Sequence, residues 1–195
     1  MDTEAKDIRT DGKRRYSAED TKAVLMENAL RAFTAAGFDD VGVREIAQAA
    51  GVNPSLVNRY FGSKQGLFEA MLEQMPSAQD FMGPDQGQWG AQIAKMLVVK
   101  IGKEPDIDPL LIMLRSAQSK VVGALVHRVM EETMIAPFAK LYGNSAKAKA
   151  KSRLVLSIIL GVDVIERVIN LPHPSEAIED FENLLGAAIQ SIVDA

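Results

Sequence analysis

The stretch NPSLVNRY brings together side chains that can recognise the edges of DNA bases. An arginine can donate two parallel hydrogen bonds to guanine, an asparagine can pair in the same bidentate way with adenine, and an exposed leucine can lie against the methyl group of thymine. Arg59, Asn58 and Leu56 supply these three residue types. Ser55 and Tyr60 flank them and can bond to phosphate oxygens, which fixes the position of a protein on DNA without reading its sequence.

These side chains can act together only if one helix carries them, and the flanking residues predict such a helix over 54–61. Asn53 can cap it, and Pro54 can stand in its first turn, where a missing N–H costs nothing. A preceding helix over 43–50 and a turn at Gly51, where glycine is free to take a positive φ, complete a helix-turn-helix. We therefore expect Asn53 to lie within the DNA-binding surface.

Three positions in this motif carry open alternatives. Leu56 is either an exposed base contact or a second core residue beside the apolar anchor Val57. Arg44 stands in the first turn of its helix, where the dipole disfavours a cation, which favours a phosphate-binding role over a chance surface arginine. Ser63 can cap the next helix, and Lys64 stands in its first turn, where an anion docked on the free N–H groups would offset the same cost.

A scaffold helix that begins at Ser17 precedes the motif. Asp20 lies three residues after Ser17, which is typical of a capping box. Gly37 is expected to end the helix, with Phe38 folding back on Phe33.

Residues 18–70 resemble the DNA-binding domain of the TetR (tetracycline repressor) family of bacterial transcription regulators. The segment YFGSKQGLF after the second helix is the most specific part of the pattern. The other matching residues are Ala29, Phe33, Gly37, Ile46, Ala47, Ala50, Gly51 and Val52. The sequence departs from the family at Asn58 and Gly42, where most members have Tyr and either Thr or Ser.

The resemblance implies an all-α fold, with an N-terminal helix-turn-helix domain joined by a linking helix to a helical ligand-binding and dimerisation domain. It also implies a DNA phosphate at Lys64. We therefore expect a helix-turn-helix domain at 17–62 and a second domain at 63–195, with 63–75 as the linking helix. Residues 1–16 are expected to form a flexible arm, whose Arg14 and Arg15 either reach a flanking minor groove or belong to a solvated tail.

The charge distribution fits this division. Of the 22 basic and 26 acidic residues, ten of each lie in residues 1–64, so the net charge of −4 arises from the rest of the chain. A local basic surface matters more for DNA than the total charge.

From about residue 88 onward the sequence predicts only helices, after a turn-rich boundary at 76–90. Proline and glycine positions divide them. Pro137 is expected to kink or break the third helix. The predicted helices are 88–103, 107–119, 120–142, 146–170 and 174–194.

The last two predicted helices carry an apolar face at helical spacing, with glycines that suit close helix approach. By resemblance these helices form the four-helix bundle of a homodimer, although the same pattern also fits the core of a monomer. The predicted interface residues are Ile158, Gly161, Val162, Ile165, Leu185 and Ile189.

The middle helices are rich in methionine, which adapts to irregular cavities and is compatible with either an apolar ligand pocket or ordinary core. The candidate pocket residues are Met96, Met113 and Met130, with Gln118 and His127 as polar groups.

Several classes of function are disfavoured. The chain has no cysteine, two histidines, no glycine-rich phosphate loop and no nucleophile motif, so we expect no enzyme activity, metal or cofactor. Its N terminus lacks a signal peptide pattern and no apolar run is long enough to span a bilayer, so we expect a cytoplasmic protein without a membrane partner.

The sequence thus predicts a ligand-responsive, homodimeric repressor that binds a palindromic operator in double-stranded DNA and is released by a small, mostly apolar effector. The alternative is an all-helical small-molecule carrier without sequence-specific DNA binding.

Overall fold

The computed structural model describes residues 17–103, 106–171 and 175–195, and within these ranges every regular element is a helix. The predicted all-α fold class is confirmed. The α-helices are α1 (Ala18–Ala36), α2 (Val43–Ala49), α3 (Ser55–Phe61), α4 (Lys64–Leu72), α5 (Ala78–Phe81), α6 (Trp89–Val98), α7 (Pro109–Ser116), α8 (Gly123–Met130), α9 (Ala136–Leu141), α10 (Ala146–Asp163) and α11 (Ile178–Asp194). None of these helices is long and apolar enough to cross a membrane.

Helix α1 begins and ends where the local sequence predicts. The hydroxyl of Ser17 accepts a hydrogen bond from the N–H of Asp20 (3.0 Å), and the N–H of Ser17 donates to the Asp20 carboxylate (3.1 Å), so the capping box is complete. Gly37 takes a φ of +76° and ends the helix. The rings of Phe33 and Phe38 then stack with 6.0 Å between their centroids, as expected.

Helices α2 and α3 form the predicted helix-turn-helix. Gly51 takes a φ of +66°, and the N–H of Val52 donates to the carbonyl of Ala47 (2.9 Å) to close the turn. Ala47 and Val57 are fully buried, which holds the two helices against each other. Phe61, at the end of α3, is only half-buried.

Helices α7 and α8 complete the hydrophobic core of the N-terminal helices, which we call the first core. Ile112 and Met113 of α7 and Val126 of α8 are fully buried in the same cluster as Phe33 and Phe68. The N-terminal helices therefore share their core with helices from later in the chain. The predicted domain boundary between 62 and 63 stays a prediction.

Polar contacts join the C-terminal ends of α1 and α7. The guanidinium of Arg115 donates to the carbonyls of Thr34 and Ala35, which lack partners inside α1. The N–H of Phe38 donates to the hydroxyl of Ser116 (3.0 Å). These bonds fix the end of α1 relative to α7.

A second core lies among α6, α9, α10 and α11. Its aromatic centre is Trp89, whose ring centroid lies 5.6 Å from that of Phe138 and 5.9 Å from that of Tyr142. The indole N–H of Trp89 donates to the carbonyl of Gly83 (2.7 Å), so its polar group is satisfied despite burial. The region predicted as a turn-rich boundary, 76–90, contains α5 and leads into α6 at Trp89.

Glycines permit a close approach between α6 and α11. A Cβ atom at Gly90 would lie 2.2 Å from the carbonyl oxygen of Gly186, and a Cβ at Gly186 would lie 3.4 Å from the Cα of Ala91. The N–H of Gly90 also donates to the side-chain oxygen of Gln190 (2.9 Å). The close approach expected for the last helix thus occurs inside one protomer.

The predicted helix over 120–142 is interrupted before Pro137, as expected. In the π-helical turn Glu131–Ile135 the N–H of Ala136 donates to the carbonyl of Glu131, five residues back. Proline has no N–H for the usual bond, and the wider turn accommodates this change. A second π-helical turn, Val164–Val168, follows α10 in the region predicted as continuous helix.

Replacing Gly90 with alanine should destabilise the protein, because the added methyl would overlap the main chain of Gly186 rather than a movable side chain. Overpacking of this kind costs about 1–3 kcal/mol or more, so we expect a loss of at least about 2 kcal/mol in the free energy of unfolding, measured by urea titration. Gly42→Ala is the matched control, since nothing lies within 4 Å of a Cβ there. Its loss should stay below about 1 kcal/mol. Equal losses for the two variants would contradict the close α6–α11 packing.

Candidate functional site

The start of α3 is fixed by its own sequence. The side-chain oxygen of Asn53 accepts a hydrogen bond from the N–H of Ser55 (2.9 Å), and Pro54 already has helical dihedral angles. Ser55, Asn58 and Arg59 are exposed in the turns that follow. The predicted base-reading and phosphate-binding groups therefore share one short, capped helix.

Leu56 differs from its expected exposure. It is half-buried and packs against the first core next to Val57. Part of its side chain therefore belongs to the core, in line with the alternative interpretation. Successive residues of a helix are about 100° apart, so Leu56 stands at the edge of the core in which Val57 is buried. Its contact with a thymine methyl stays a prediction.

Two cationic side chains, one from α1 and one from α3, lie close to the ring of Tyr60. The ammonium of Lys22 on α1 lies 5.7 Å from the centroid of its ring, and the guanidinium carbon of Arg59 lies 5.9 Å from the same centroid. Both distances fall within the range of a cation–π interaction. The side of α3 that holds Tyr60 therefore combines a phenol with two cations, a combination suited to phosphate.

Arg44 is exposed in the first turn of α2, where it was expected. Its neighbour Glu45 turns back, and the N–H of Gly42 donates to the Glu45 carboxylate at 3.4 Å. The arm residues Arg14 and Arg15 lie outside the described residues.

Lys64 has partners that the sequence did not indicate. Its ammonium donates to the carbonyls of Phe38 and Val41, both at 2.8 Å, and lies 4.1 Å from the centroid of the Phe38 ring. Burial lowers the pKa of Lys64 from its ordinary value. In this structure Lys64 holds the loop between α1 and α2, whereas the predicted phosphate contact stays untested. Ser63 caps α4 as expected, accepting from the N–H of Gly66 (3.0 Å).

A cavity of about 80 Å³ lies among the C-terminal helices. Its walls are mostly apolar, and polar side chains reach it from Lys100, Asp108 and Ser152. The main apolar residues are Met82, Ile93, Met96, Leu110, Phe138 and Val155.

Of the five predicted pocket residues, only Met96 lines this cavity. Met113 is fully buried in the first core, and Gln118 is exposed beyond the end of α7. His127 and Met130 line a separate groove. Methionine content was a poor guide because methionine fills core space as readily as it lines cavities.

The carboxylate of Asp108 is the most connected polar group at the cavity. One oxygen accepts from the N–H groups of Leu110 (3.0 Å) and Leu111 (3.2 Å) and so caps α7. The other accepts from the ammonium of Lys100 (2.9 Å) and the guanidinium of Arg167 (2.8 Å). Burial alone would raise the pKa of Asp108, but Lys100 and Arg167 outweigh it, and the pKa lies below its ordinary value.

Arg167 links Asp108 to a second buried acid. Its guanidinium also donates to Asp163 (3.0 Å), and the Asp163 side chain is completely buried. Burial raises the pKa of Asp163 despite that bond. The second carboxylate oxygen of Asp163 and the Nε of Arg167 are buried without a hydrogen-bond partner among the described residues.

Sequence analysis missed this charged cluster of Lys100, Asp108, Asp163 and Arg167. Asp163 and Arg167 have the i,i+4 spacing of a helical ion pair, but Asp108 lies 59 residues from Arg167, so no spacing rule connects the two halves of the cluster. Two signals were present: Asp163 ends the apolar run of α10, and the Asp-Pro pair at Asp108 is a helix cap followed by proline.

An apolar stripe runs along α10 and the turn after it and continues onto α11. Leu154, Ile165, Ile169 and Leu184 are 51%, 44%, 57% and 71% exposed. Nothing lies within 4 Å of a Cβ at Gly161 in the same stripe. The predicted interface residues Ile158 and Val162 are half-buried beside it.

The other two predicted interface residues need correction. Leu185 is 8% exposed and Ile189 is fully buried, both within the second core of the same protomer. They face α6, because the close approach at Gly186 turns that side of α11 inward.

The helix-turn-helix and the C-terminal helices match known families. Residues 25–71 match the model of the bacterial regulatory proteins of the tetR family, and residues 87–193 match that of the tetracyclin repressor-like C-terminal domain. The second match alone covers more than half of the chain. This chain belongs to the TetR family. The resemblance noted in its sequence is thereby confirmed.

Individual TetR-family relatives are similar over part of the chain. The transcriptional regulator RutR of Escherichia coli K12 is 34% identical over 68 residues, which cover 35% of this chain and 32% of RutR. The regulatory protein RaaS of Mycobacterium tuberculosis is 40% identical over 80 residues, covering 38% of this chain and 37% of RaaS. The match therefore spans about a third of these curated relatives.

The fold is similar over a longer stretch to NalD of Pseudomonas aeruginosa, the secondary repressor of the MexAB-OprM multidrug efflux pump. The two structures superpose with a TM-score of 0.60 at 18% identity, over 87% of this chain and 96% of NalD.

Replacing Asp108 with asparagine should cost about 3–5 kcal/mol of unfolding free energy at pH 7, because Lys100 and Arg167 would be left with less compensation. Since the folded pKa of Asp108 is lowered, its contribution is present above the unfolded pKa and is lost as pH falls through the folded pKa. The difference between wild type and variant should therefore shrink below about pH 4. Urea titrations across pH measure both effects.

The matched control is Asp106→Asn, because the Asp106 side chain is 70% exposed and pairs only with the exposed Arg31 among the described residues. A change within about 0.5 kcal/mol is expected there. Similar losses for the two variants would contradict the role assigned to Asp108.

Proposed function

We propose that this protein is a ligand-responsive, sequence-specific DNA-binding repressor of transcription. It acts as a homodimer on a palindromic operator in the bacterial cytoplasm, and a small, mostly apolar effector releases it. The observation that carries this proposal is α3, a capped helix with Ser55, Asn58 and Arg59 exposed and two cations gathered at Tyr60.

The exposed groups divide the work of recognition. Arg59 and Asn58 contact base edges, whereas Ser55, Tyr60 and Arg44 contact phosphates and set the register. We place the DNA-binding domain at 17–62 and the ligand-binding and dimerisation domain at 63–195. A two-fold dimer would present two α3 helices to major grooves about 34–36 Å apart.

The apolar stripe on α10 and α11 supports the dimer. Exposed apolar surface at helical spacing is costly in water, and a second copy related by two-fold symmetry would cover it with the same stripe. NalD, a repressor of similar fold, supports the assignment to repression.

Effector binding in the cavity would favour a conformer whose two α3 helices no longer match successive major grooves. The difference in effector affinity between the two conformers is the regulatory coupling. Helix α4 is one proposed lever, since it follows α3 directly and leads towards the cavity at Pro76.

Replacing Arg59 with alanine should reduce base discrimination. A duplex selected from a random pool and a shuffled duplex of equal composition are titrated by fluorescence anisotropy at several salt concentrations. We expect the preference for the selected duplex to fall about 5- to 150-fold, since one bidentate contact discriminates by about 1–3 kcal/mol. Binding of the unmutated protein should weaken steeply with salt.

Two other arginines complete that experiment. Arg44→Ala should weaken both duplexes by the same factor and reduce the salt slope by about 0.9, as expected for one lost phosphate contact. Arg128→Ala makes the same charge change on α8, outside the helix-turn-helix, and should leave both affinities within about twofold. Absence of any duplex preference in the unmutated protein would favour the carrier alternative.

Replacing Ile165 with glutamate should dissociate the dimer, because a carboxylate would be buried opposite its own symmetry mate. Sedimentation equilibrium should show a dissociation constant raised at least about 100-fold, given the several kcal/mol that an unpaired buried charge costs. Val121→Glu is the control, since Val121 is similarly exposed (56%) but lies between α7 and α8, away from the stripe. A monomeric unmutated protein, or equal effects of both variants, would contradict the proposed interface.

A further inference from the structure

We propose that the cavity binds a compact apolar molecule that carries a hydrogen-bond acceptor, a carbonyl oxygen or a carboxylate, and that this acceptor takes the ammonium of Lys100 away from Asp108. The release of Asp108 is then passed through α7 to α1. The ligand chemistry is independent of DNA, whereas the transmission step rests on the proposed function.

The size and the apolar walls of the cavity indicate that the ligand is compact and mostly apolar. A volume of about 80 Å³ lined largely by Ile93, Met96, Leu110, Phe138 and Val155 limits an occupant to a single ring or a short chain at most. A larger or strongly polar molecule would leave its polar groups against these apolar side chains without partners.

The polar side chains of the lining decide where the ligand's polar group binds, because they differ in how many of their hydrogen-bonding positions are already occupied. Both oxygens of Asp108 carry two hydrogen bonds each, and the hydroxyl of Ser152 donates to the carbonyl of Ala148 (2.9 Å). Lys100 is the more accessible partner: its side chain is 30% exposed, against 4% for Asp108. An ammonium donates hydrogen bonds and accepts none, whereas the Asp108 oxygens only accept, so a ligand acceptor is best placed at Lys100.

A ligand cation suits the same place poorly. It would meet the ammonium of Lys100 and would have to displace donors from a carboxylate that is already saturated. Asp108 can release Lys100 more easily, because Arg167 stays bound to the same oxygen and is itself buried.

Asp108 is also the point where the cavity contacts α1. Its N–H donates to the hydroxyl of Thr34 on α1 (3.0 Å), a bond buried on both sides. Its carboxylate caps α7, an eight-residue helix about 12 Å long. At the other end of α7, Arg115 and Ser116 hold the end of α1 and the residue after Gly37.

The route from cavity to DNA surface is therefore short and continuous. Ser116 binds the N–H of Phe38, and Lys64 binds the carbonyls of Phe38 and Val41 just before α2. A shift of Asp108 on loss of Lys100 would move α7 as a unit, and with it the loop that orients α2 and α3.

Calorimetry with four single-ring probes of similar size tests the ligand chemistry. The probes are ethylbenzene without an acceptor, acetophenone with a carbonyl, benzoate with a carboxylate, and 1-phenylethylamine with a cation. We expect acetophenone or benzoate, or both, to bind about 5-fold or more tightly than ethylbenzene, as one hydrogen bond to a charged donor allows. Which of the two binds better distinguishes a carbonyl from a carboxylate ligand.

Lys100→Met keeps the length of the side chain and removes the donors, so it should abolish the preference over ethylbenzene while leaving ethylbenzene affinity nearly unchanged. Met96→Trp, which fills the cavity and leaves the charged cluster intact, should abolish binding of all four probes. Equal affinities for acetophenone and ethylbenzene, tightest binding of the cation, no binding of any probe, or a preference retained by Lys100→Met would each overturn the proposal.

Thr34→Val tests the transmission, because it removes the bond from Asp108 while keeping the shape of the side chain. The tightest of the four probes should weaken operator binding by the unmutated protein about 5-fold or more. Thr34→Val should bind that probe within about twofold of the unmutated protein and lose most of its effect on DNA. Thr21→Val is the matched control: Thr21 also lies in α1 and bonds a carbonyl four residues back, but does not touch Asp108.

The outcomes separate this inference from the proposed function. Specific DNA binding without a preference for acceptor probes overturns the inference alone. Acceptor binding through Lys100 without any duplex preference overturns the repressor function and the transmission step, and supports the ligand chemistry. An unchanged ligand effect in Thr34→Val overturns the route through α1.

Discussion

The buried carboxylate of Asp108 is the constraint on which the arrangement of the C-terminal helices depends. A charge taken out of water must be matched by donors and cations, or the fold loses several kcal/mol. Asp108 meets this demand with groups from the turn after α6, from α7 and from the π-helical turn after α10. Its N–H adds a bond to α1. Four elements are thereby held at one point, at the edge of the cavity.

Helix α7 connects Asp108 to the helix-turn-helix. It contributes Ile112 and Met113 to the first core, carries Asp108 at one end and holds the loop after α1 at the other. The loop that leads from α1 into α2 is therefore held in part by a helix from the C-terminal half. The position of the DNA-facing side chains is set by packing that extends well beyond the motif.

Helices α10 and α11 show how one apolar pattern serves two purposes. Leu185 and Ile189 fill the core against α6, where Gly90 and Gly186 allow close contact. Leu154, Ile165 and Leu184 lie outside that core and remain exposed. Both sets have the same residue types, so only the position of α6 decides which set faces outward.

The sequence alone determined features that depend on neighbouring residues. Capping at Ser17, Asn53 and Ser63, the turns at Gly37 and Gly51, and the interruption before Pro137 follow from local backbone chemistry, and so they were predicted together with the all-α fold and the family. Tertiary structure decided what depends on distant partners. The internal bonds of Lys64, the half-burial of Leu56, the inward position of Ile189 and the cluster around Asp108 arise because folding brings together residues whose separation in the chain carries no signal. Helical periodicity shows which face of a helix is apolar, but only the packed structure shows what that face contacts.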